Sequence, residues 1–167
     1  DTLLEEQIEL RGHIVRFHDG VYVGGYLNQK KEGKGTLGFH DGKIYSGDWR
    51  NGKKDGQGIL IHQNGTKLKG KWSNDVMEPF GEIHFLDGST YQGEIKNFKL
   101  QGKGIFKFAC GDSYDGNFNE GLKEGFGKYV WWDGDEYEGN WVKGKRHGTG
   151  TMKYANGDIY KGEWKNN

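Results

Sequence analysis

A single cysteine, Cys110, stands in a chain of 167 residues, which excludes an internal disulfide framework and fits a reducing compartment. Proline is almost as scarce. Pro79 is the only one, and a local bend or edge feature is expected near residues 76–81. Neither sign of charge prevails, since Lys plus Arg and Asp plus Glu number 24 each. The basic surplus that general nucleic-acid binding requires is therefore missing. No apolar run approaches the ~20 residues of a membrane span, and no secretory signal is visible. The chain begins at Asp1, and its last unit stops just after Trp164. We expect it to be a piece of something longer.

What the chain has in excess is glycine and rings. Its 31 glycines far exceed an average share of roughly 7%. Only 32% of residues are hydrophobic while 14% are aromatic, so rings must carry much of the packing. These residues are periodic. A Tyr-x-Gly-x-aromatic anchor recurs every 23 residues, at Tyr22/Gly24/Tyr26, Tyr45/Gly47/Trp49, Leu68/Gly70/Trp72 and Tyr91/Gly93/Ile95. It continues at Tyr114/Gly116/Phe118, Tyr137/Gly139/Trp141 and Tyr160/Gly162/Trp164. A fixed period of this length marks an architecture in which each unit is completed by its neighbours.

Residues 33–55 show how one unit folds. Two alternating segments flank Asp41-Gly42, a hairpin signal. A three-residue loop, His40-Asp41-Gly42, gives Gly42 the left-handed position such loops need. Leu37 then faces Tyr45, Gly35 faces Gly47 and Gly33 faces Trp49, all on one side of the pleat. The glycine pair recurs at Gly56/Gly58, Gly102/Gly104, Gly125/Gly127 and Gly148/Gly150. Because these glycines share a face with large rings, they predict a lane without Cβ atoms on which the rings lie. Valine at Gly47 or Gly104 should then disrupt folding. Asn64-Gly65-Thr66 matches a glycosylation sequon but fills a repeat turn and is read as a turn. The third unit departs from the pattern, with Leu68 for the tyrosine and Pro79 for the first glycine. In the first, Gly20 precedes Tyr22 by two residues rather than three, so its register is open.

These residues resemble the MORN (membrane occupation and recognition nexus) repeat over nearly all of residues 10–164. The resemblance implies an all-β fold: an elongated, single-layer, twisted antiparallel sheet of successive MORN-repeat hairpins with a groove along one face. It places a repeat array at residues 10–167. Residues 1–9 form a flanking segment, where Thr2 and Glu5 resemble a capping box and predict a short helix. Similar repeats occur in junctophilins, plant phosphatidylinositol phosphate kinases and ciliary radial-spoke proteins, where they are taken to hold a partner or a membrane. The resemblance therefore implies a non-catalytic scaffold that tethers a partner at a membrane or the cytoskeleton, peripheral and cytoplasmic, with the targeting arm of a larger enzyme as an alternative.

Three surfaces are candidates. The first is an aromatic groove lined by Trp72, Phe85, Phe108, Tyr129, Trp131 and Tyr154, suited to an extended peptide or an amphipathic helix; the same rings otherwise serve as core. The second is Trp132, which falls beside Val130 on the otherwise polar face and marks an interaction site or a contact with residues 1–10. The third is a lysine-rich loop edge for anionic phospholipid, with Lys30, Lys31, Lys53, Lys54, Lys145 and Arg146, each worth ~1 kcal/mol near a charged bilayer. The bland reading is a solvated loop diluted by Glu32, Asp55, Glu78 and Glu124. Unpaired edges at the sheet ends suggest self-association. No cofactor is expected: His18, His40 and His62 recur about once per unit, roughly 10 Å apart, too far to share a zinc ion. The Gly-x-Gly pairs precede no helix and are structural rather than phosphate cradles.

Overall fold

The computed structural model describes residues 12–167; the helix expected at residues 1–9 lies outside them. Every regular element among the described residues is a strand. Each is antiparallel to its neighbours, and the strand order follows the sequence. Two compact units divide the chain at residues 78 and 79. The first holds β1 (His13–Phe17), β2 (Gly20–Leu27), β3 (Lys30–Phe39), β4 (Ile44–Arg50), β5 (Lys53–Ile61) and β6 (Lys67–Ser73). The division falls inside β7 (Val76–His84). The second unit continues with β8 (Thr90–Lys96), β9 (Lys99–Lys107), β10 (Ser113–Asn119), β11 (Leu122–Val130), β12 (Glu136–Val142), β13 (Lys145–Lys153) and β14 (Ile159–Trp164).

The hairpin register is the expected one. Leu37 pairs with Tyr45, Gly35 with Gly47 and Gly33 with Trp49. The Phe39 N–H donates to the Lys43 carbonyl at 2.9 Å and the Gly42 N–H to Phe39 at 3.1 Å, closing a three-residue loop with Gly42 at φ 85°. At the chain's first hairpin, Phe17 pairs with Gly20, so its loop is the two residues His18 and Asp19. Hairpins are joined by two-residue turns with both φ values positive, as at Asn51 (50°) and Gly52 (82°) or Lys143 (48°) and Gly144 (82°). These are the turns whose twist matches flanking strands. The connections read in sequence as loops are thus tight turns, and the lysines after them begin strands.

The two glycines of each pair serve different needs. The first adopts a left-handed φ at a register shift: Gly56 has φ 114° where β5 takes four steps, Lys54 to Gly58, against two on β4, Gly47 to Trp49. Such a bulge leaves N–H groups off the ladder. Asp48 caps one, accepting from the Gln57 N–H at 2.9 Å, and Glu94 does the same for Lys103 at 3.2 Å. The second glycine lies beneath a tyrosine. A Cβ on Gly58 or Gly104 would fall inside the ring of Tyr45 or Tyr91, so the predicted lane exists at this position. Each ring reaches past it to a carbonyl, Tyr91 to Glu94 at 2.7 Å and Tyr114 to Asn117 at 2.9 Å.

Rings then interlock edge to face. In the first unit Tyr22, Trp49, Tyr45 and Trp72 follow one another at 5.4, 5.1 and 5.3 Å between centroids. In the second, Tyr114, Trp141, Tyr137 and Trp164 do so at 5.5, 5.2 and 5.2 Å. Each such pair adds about 0.5–1.5 kcal/mol beyond its buried area. Indole N–H groups donate to a carbonyl fourteen residues back, Trp49 to Gly35 at 3.0 Å and Trp141 to Gly127 at 3.1 Å. The Trp72 indole N–H is buried without a partner, at the start of the unit in which Leu68 replaces tyrosine. There the Met77 side chain occupies the space beside Gly70. Pro79 cannot take the left-handed φ of the glycine it replaces. It lies within β7 rather than at a break, and the boundary between the units falls at the same point.

Candidate partner-binding face

The face that carries the rings also carries cations, at one position of the repeat. Lys31 Nζ stands 4.6 Å from the Trp49 ring centre, Lys54 Nζ 4.9 Å from Trp72, Lys123 Nζ 4.3 Å from Trp141 and Arg146 Cζ 4.5 Å from Trp164. Each aromatic lies eighteen residues after its cation. The same position holds Met77 and Leu100 in the two units where the residue eighteen later is Ile95 or Phe118. A cation is thus used where an indole face can attract it and an aliphatic chain where none is present. Burial lowers the Lys31 and Lys54 ammonium pKa values, with nearby aspartates opposing. Burial, with Arg146 adding and Asp112 opposing, brings Lys123 down to about 8.

The candidate lipid residues therefore separate. Lys30, Lys53 and Lys145 point to solvent, whereas Lys31, Lys54 and Arg146 turn onto rings. The acids that dilute the charge in sequence also have a structural task. Glu32 accepts from the Asn51 N–H at 2.8 Å, Asp55 from Asn74 at 3.4 Å and Glu124 from Lys143 at 2.7 Å, each capping the next turn.

In the second unit a row of rings, half-buried except for the buried Tyr129, lies beside these cations. Phe85 meets Phe106 at 5.4 Å, Phe106 meets Phe108 at 4.5 Å, Phe108 meets Tyr129 at 5.6 Å and Tyr129 meets Trp131 at 4.5 Å. All are tilted rather than stacked flat, which leaves parts of the ring faces open. Lys123 borders the row 4.5 Å from the Tyr129 ring, and Arg146 borders it 5.7 Å from Trp131. Tyr129 is held in place by its hydroxyl, which donates to the Asp112 carboxylate at 2.5 Å. Burial first, then that hydrogen bond, raises its phenol well above the ordinary value. Asp112 also accepts from the Trp132 N–H at 2.9 Å, tying one hairpin tip to the next.

Of the six expected groove residues, Phe85, Phe108, Tyr129 and Trp131 fall in this row. Phe106, which joins Phe85 to Phe108, is not among the expected groove residues, although it occupies the recurring Leu37 and Leu60 position on the ring face. Trp72 belongs to the first unit and is 3% exposed, enclosed by Tyr45 and Lys54. Tyr154 closes the last hairpin loop at the repeat position of Phe108 and Trp131, and it is 41% exposed. Trp132 is 74% exposed and opens the loop Trp132-Asp133-Gly134, so it stands at a tip rather than on the polar face. On the opposite face of the second unit an open hollow of ≈ 560 Å³ over Gly139, Gly150 and Gly162 mixes Glu138 with Lys153 and Lys161. Among the described residues no group of His, Cys, Asp and Glu is placed to hold a metal ion.

The profile of the MORN repeat family matches residues 22–44, 45–67, 91–113, 114–136, 137–159 and 160–167. The unmatched stretch inside the array is the unit of Leu68 and Pro79. Among solved structures the chain is similar to the wild-type TCP10 domain of Danio rerio CPAP in complex with a peptide of Danio rerio STIL. The identity is 13%, the TM-score 0.50, and the match covers 90% of this chain and 73% of that one. It also matches the wild-type TCP10 domain of Danio rerio CPAP at 14% identity and TM-score 0.36, over 90% of this chain and 76% of that one. At such identity the similarity is one of fold. No curated protein matches. With its anchors, its hairpins and its glycine lane in register, this chain belongs to the MORN repeat family.

Proposed function

We propose that the chain is a non-catalytic protein-interaction module that takes a partner segment along its ring-bearing face. The observation that carries this reading is the row Phe85–Phe106–Phe108–Tyr129–Trp131, half-buried except at the buried Tyr129 and bordered by Lys123 and Arg146. A single sheet cannot cover its own apolar face, and open apolar rings with a charged border suit a peptide. The fold is shared with a domain whose structure was determined with a bound peptide, which supports the same class of ligand here. Tethering such a partner at a membrane or a cytoskeletal structure is the role that fits. Anionic phospholipid is the second reading, and it rests on the solvent-facing Lys30, Lys53 and Lys145 alone.

The test is selection of 16-residue random peptides displayed on phage against the whole chain. Peptides lost on Trp131→Ala or Phe108→Ala, but kept on Trp132→Ala, support the face. Peptides indifferent to all three changes contradict it.

A further inference from the structure

We infer that the segment taken by the second unit is acidic, its carboxylates meeting Lys123 and Arg146 while its apolar side chains lie on the ring row. This rests on the peptide-binding reading and names the chemistry of the peptide. Ring faces hold a cation but accept little from its N–H donors. Lys123 spends none of its three on a protein acceptor among the described residues. Arg146 spends its side chain on Asn167 Oδ1 at 3.4 Å and Met152 Sδ at 3.8 Å, both long. Among the described residues neither has a carboxylate in ion-pair range.

The acids nearby are committed elsewhere. Asp112 accepts from Tyr129 and Trp132, Glu124 caps the Lys143 turn, and Asp135 accepts from the Ala155 N–H at 2.8 Å. The cations are thus partly desolvated, fixed in position and short of acceptors, at the border of an open apolar row. A partly buried charge with no carboxylate in ion-pair range is costly even with Asp112 nearby, and an arriving carboxylate relieves that cost while spending the idle donors. The complement of such a surface is an extended strand whose ring-facing side chains, every second residue, are apolar over the row and acidic at its border. Carboxylates at its edge would reach the two cations.

The experiment uses the whole chain and two designed 12-residue peptides, each with Leu or Phe alternating with Ser over its middle and flanked at both ends by Glu in one and by Lys in the other. Binding is measured by calorimetry at low and physiological salt, with phosphatidylserine vesicles as a parallel arm. The expected result is that the Glu peptide binds at least about tenfold tighter than the Lys peptide, less so as salt rises. Lys123→Met and Arg146→Met should each weaken the Glu peptide by about tenfold. Methionine already stands at this repeat position as Met77, so the fold should tolerate it, and a melting curve checks that. If Lys123→Met does not fold, Lys123→Arg should retain binding and the salt dependence decides. Equal binding of the two peptides, or tighter binding of the Lys peptide, overturns the acidic partner and leaves the peptide face standing. Binding of neither overturns both. Vesicle binding lost in Lys123→Met, with no peptide bound, assigns the cations to lipid instead.

Discussion

The ammonium of Lys123 stands 4.3 Å from the centre of the Trp141 ring, and the same eighteen-residue step joins Lys31 to Trp49, Lys54 to Trp72 and Arg146 to Trp164. The chain itself supplies the control, since Leu100 replaces the cation where Phe118 replaces the indole. A double-mutant cycle over Lys123→Leu and Trp141→Phe should therefore show a favourable coupling of about 0.5–2 kcal/mol. Additive effects would mean that the stacking is incidental.

Glycines should differ sharply in what they tolerate. A Cβ on Gly104 would enter the ring of Tyr91, which is itself fully buried and packed edge-on against Phe118 at 5.3 Å. Gly104→Ala should cost more than about 4 kcal/mol. Gly121 has φ 86° and open space around it, so Gly121→Ala meets only backbone strain, about 1–2 kcal/mol. Urea unfolding of the two variants checks the order, and equal losses would refute the lane.

Stability should rise and then fall with alkaline pH. Burial holds the folded Lys123 ammonium down at about 8, against 10.5 for an ordinary lysine in the unfolded chain. Between those values the unfolded chain holds the extra proton, so raising the pH favours the fold. Tyr22 and Tyr91 are raised by burial from 10.0 to about 12. Above pH 10 the folded chain is therefore the one that keeps its protons, and stability declines. The melting temperature should peak near pH ~10, and Lys123→Met should reduce the climb, to which Lys31 and Lys54 also contribute, while leaving the fall. A steady decline from pH 8 in the native chain would contradict these environments.

Trp132→Ala should leave the melting curve within about 0.5 kcal/mol of the native one, because the ring projects from a hairpin tip and is 74% exposed. A larger loss would show that the tip packs against something on which stability depends.

Much of this was legible in the sequence because one period fixed one register. The pairs Leu37–Tyr45, Gly35–Gly47 and Gly33–Trp49 follow from an odd loop and strict alternation, and the structure repeats them. The distinct tasks of the paired glycines were not legible, since a bulge and a tyrosine footprint both demand a missing Cβ. Sequence spacing makes Lys31 and Lys54 loop charges, because it treats the connections between hairpins as loops. Carried two residues further back, the alternation through Gly58 and Gly56 places Lys54 on the ring face. Trp132 was assigned to a face by the same counting, but a three-residue loop suspends alternation at that point. The Asp48 and Glu94 caps depend on where the bulge lies, which the period does not reveal.

The decisive measurement follows the six tryptophan indole N–H signals by nuclear magnetic resonance as a phage-selected peptide is added. If the ring row is the binding face, the Trp131 signal shifts in step with the added peptide while that of Trp132, at the hairpin tip, stays in place. A bound peptide that moves Trp132 and leaves Trp131 unchanged, or that moves none of the six, would place binding elsewhere on the molecule.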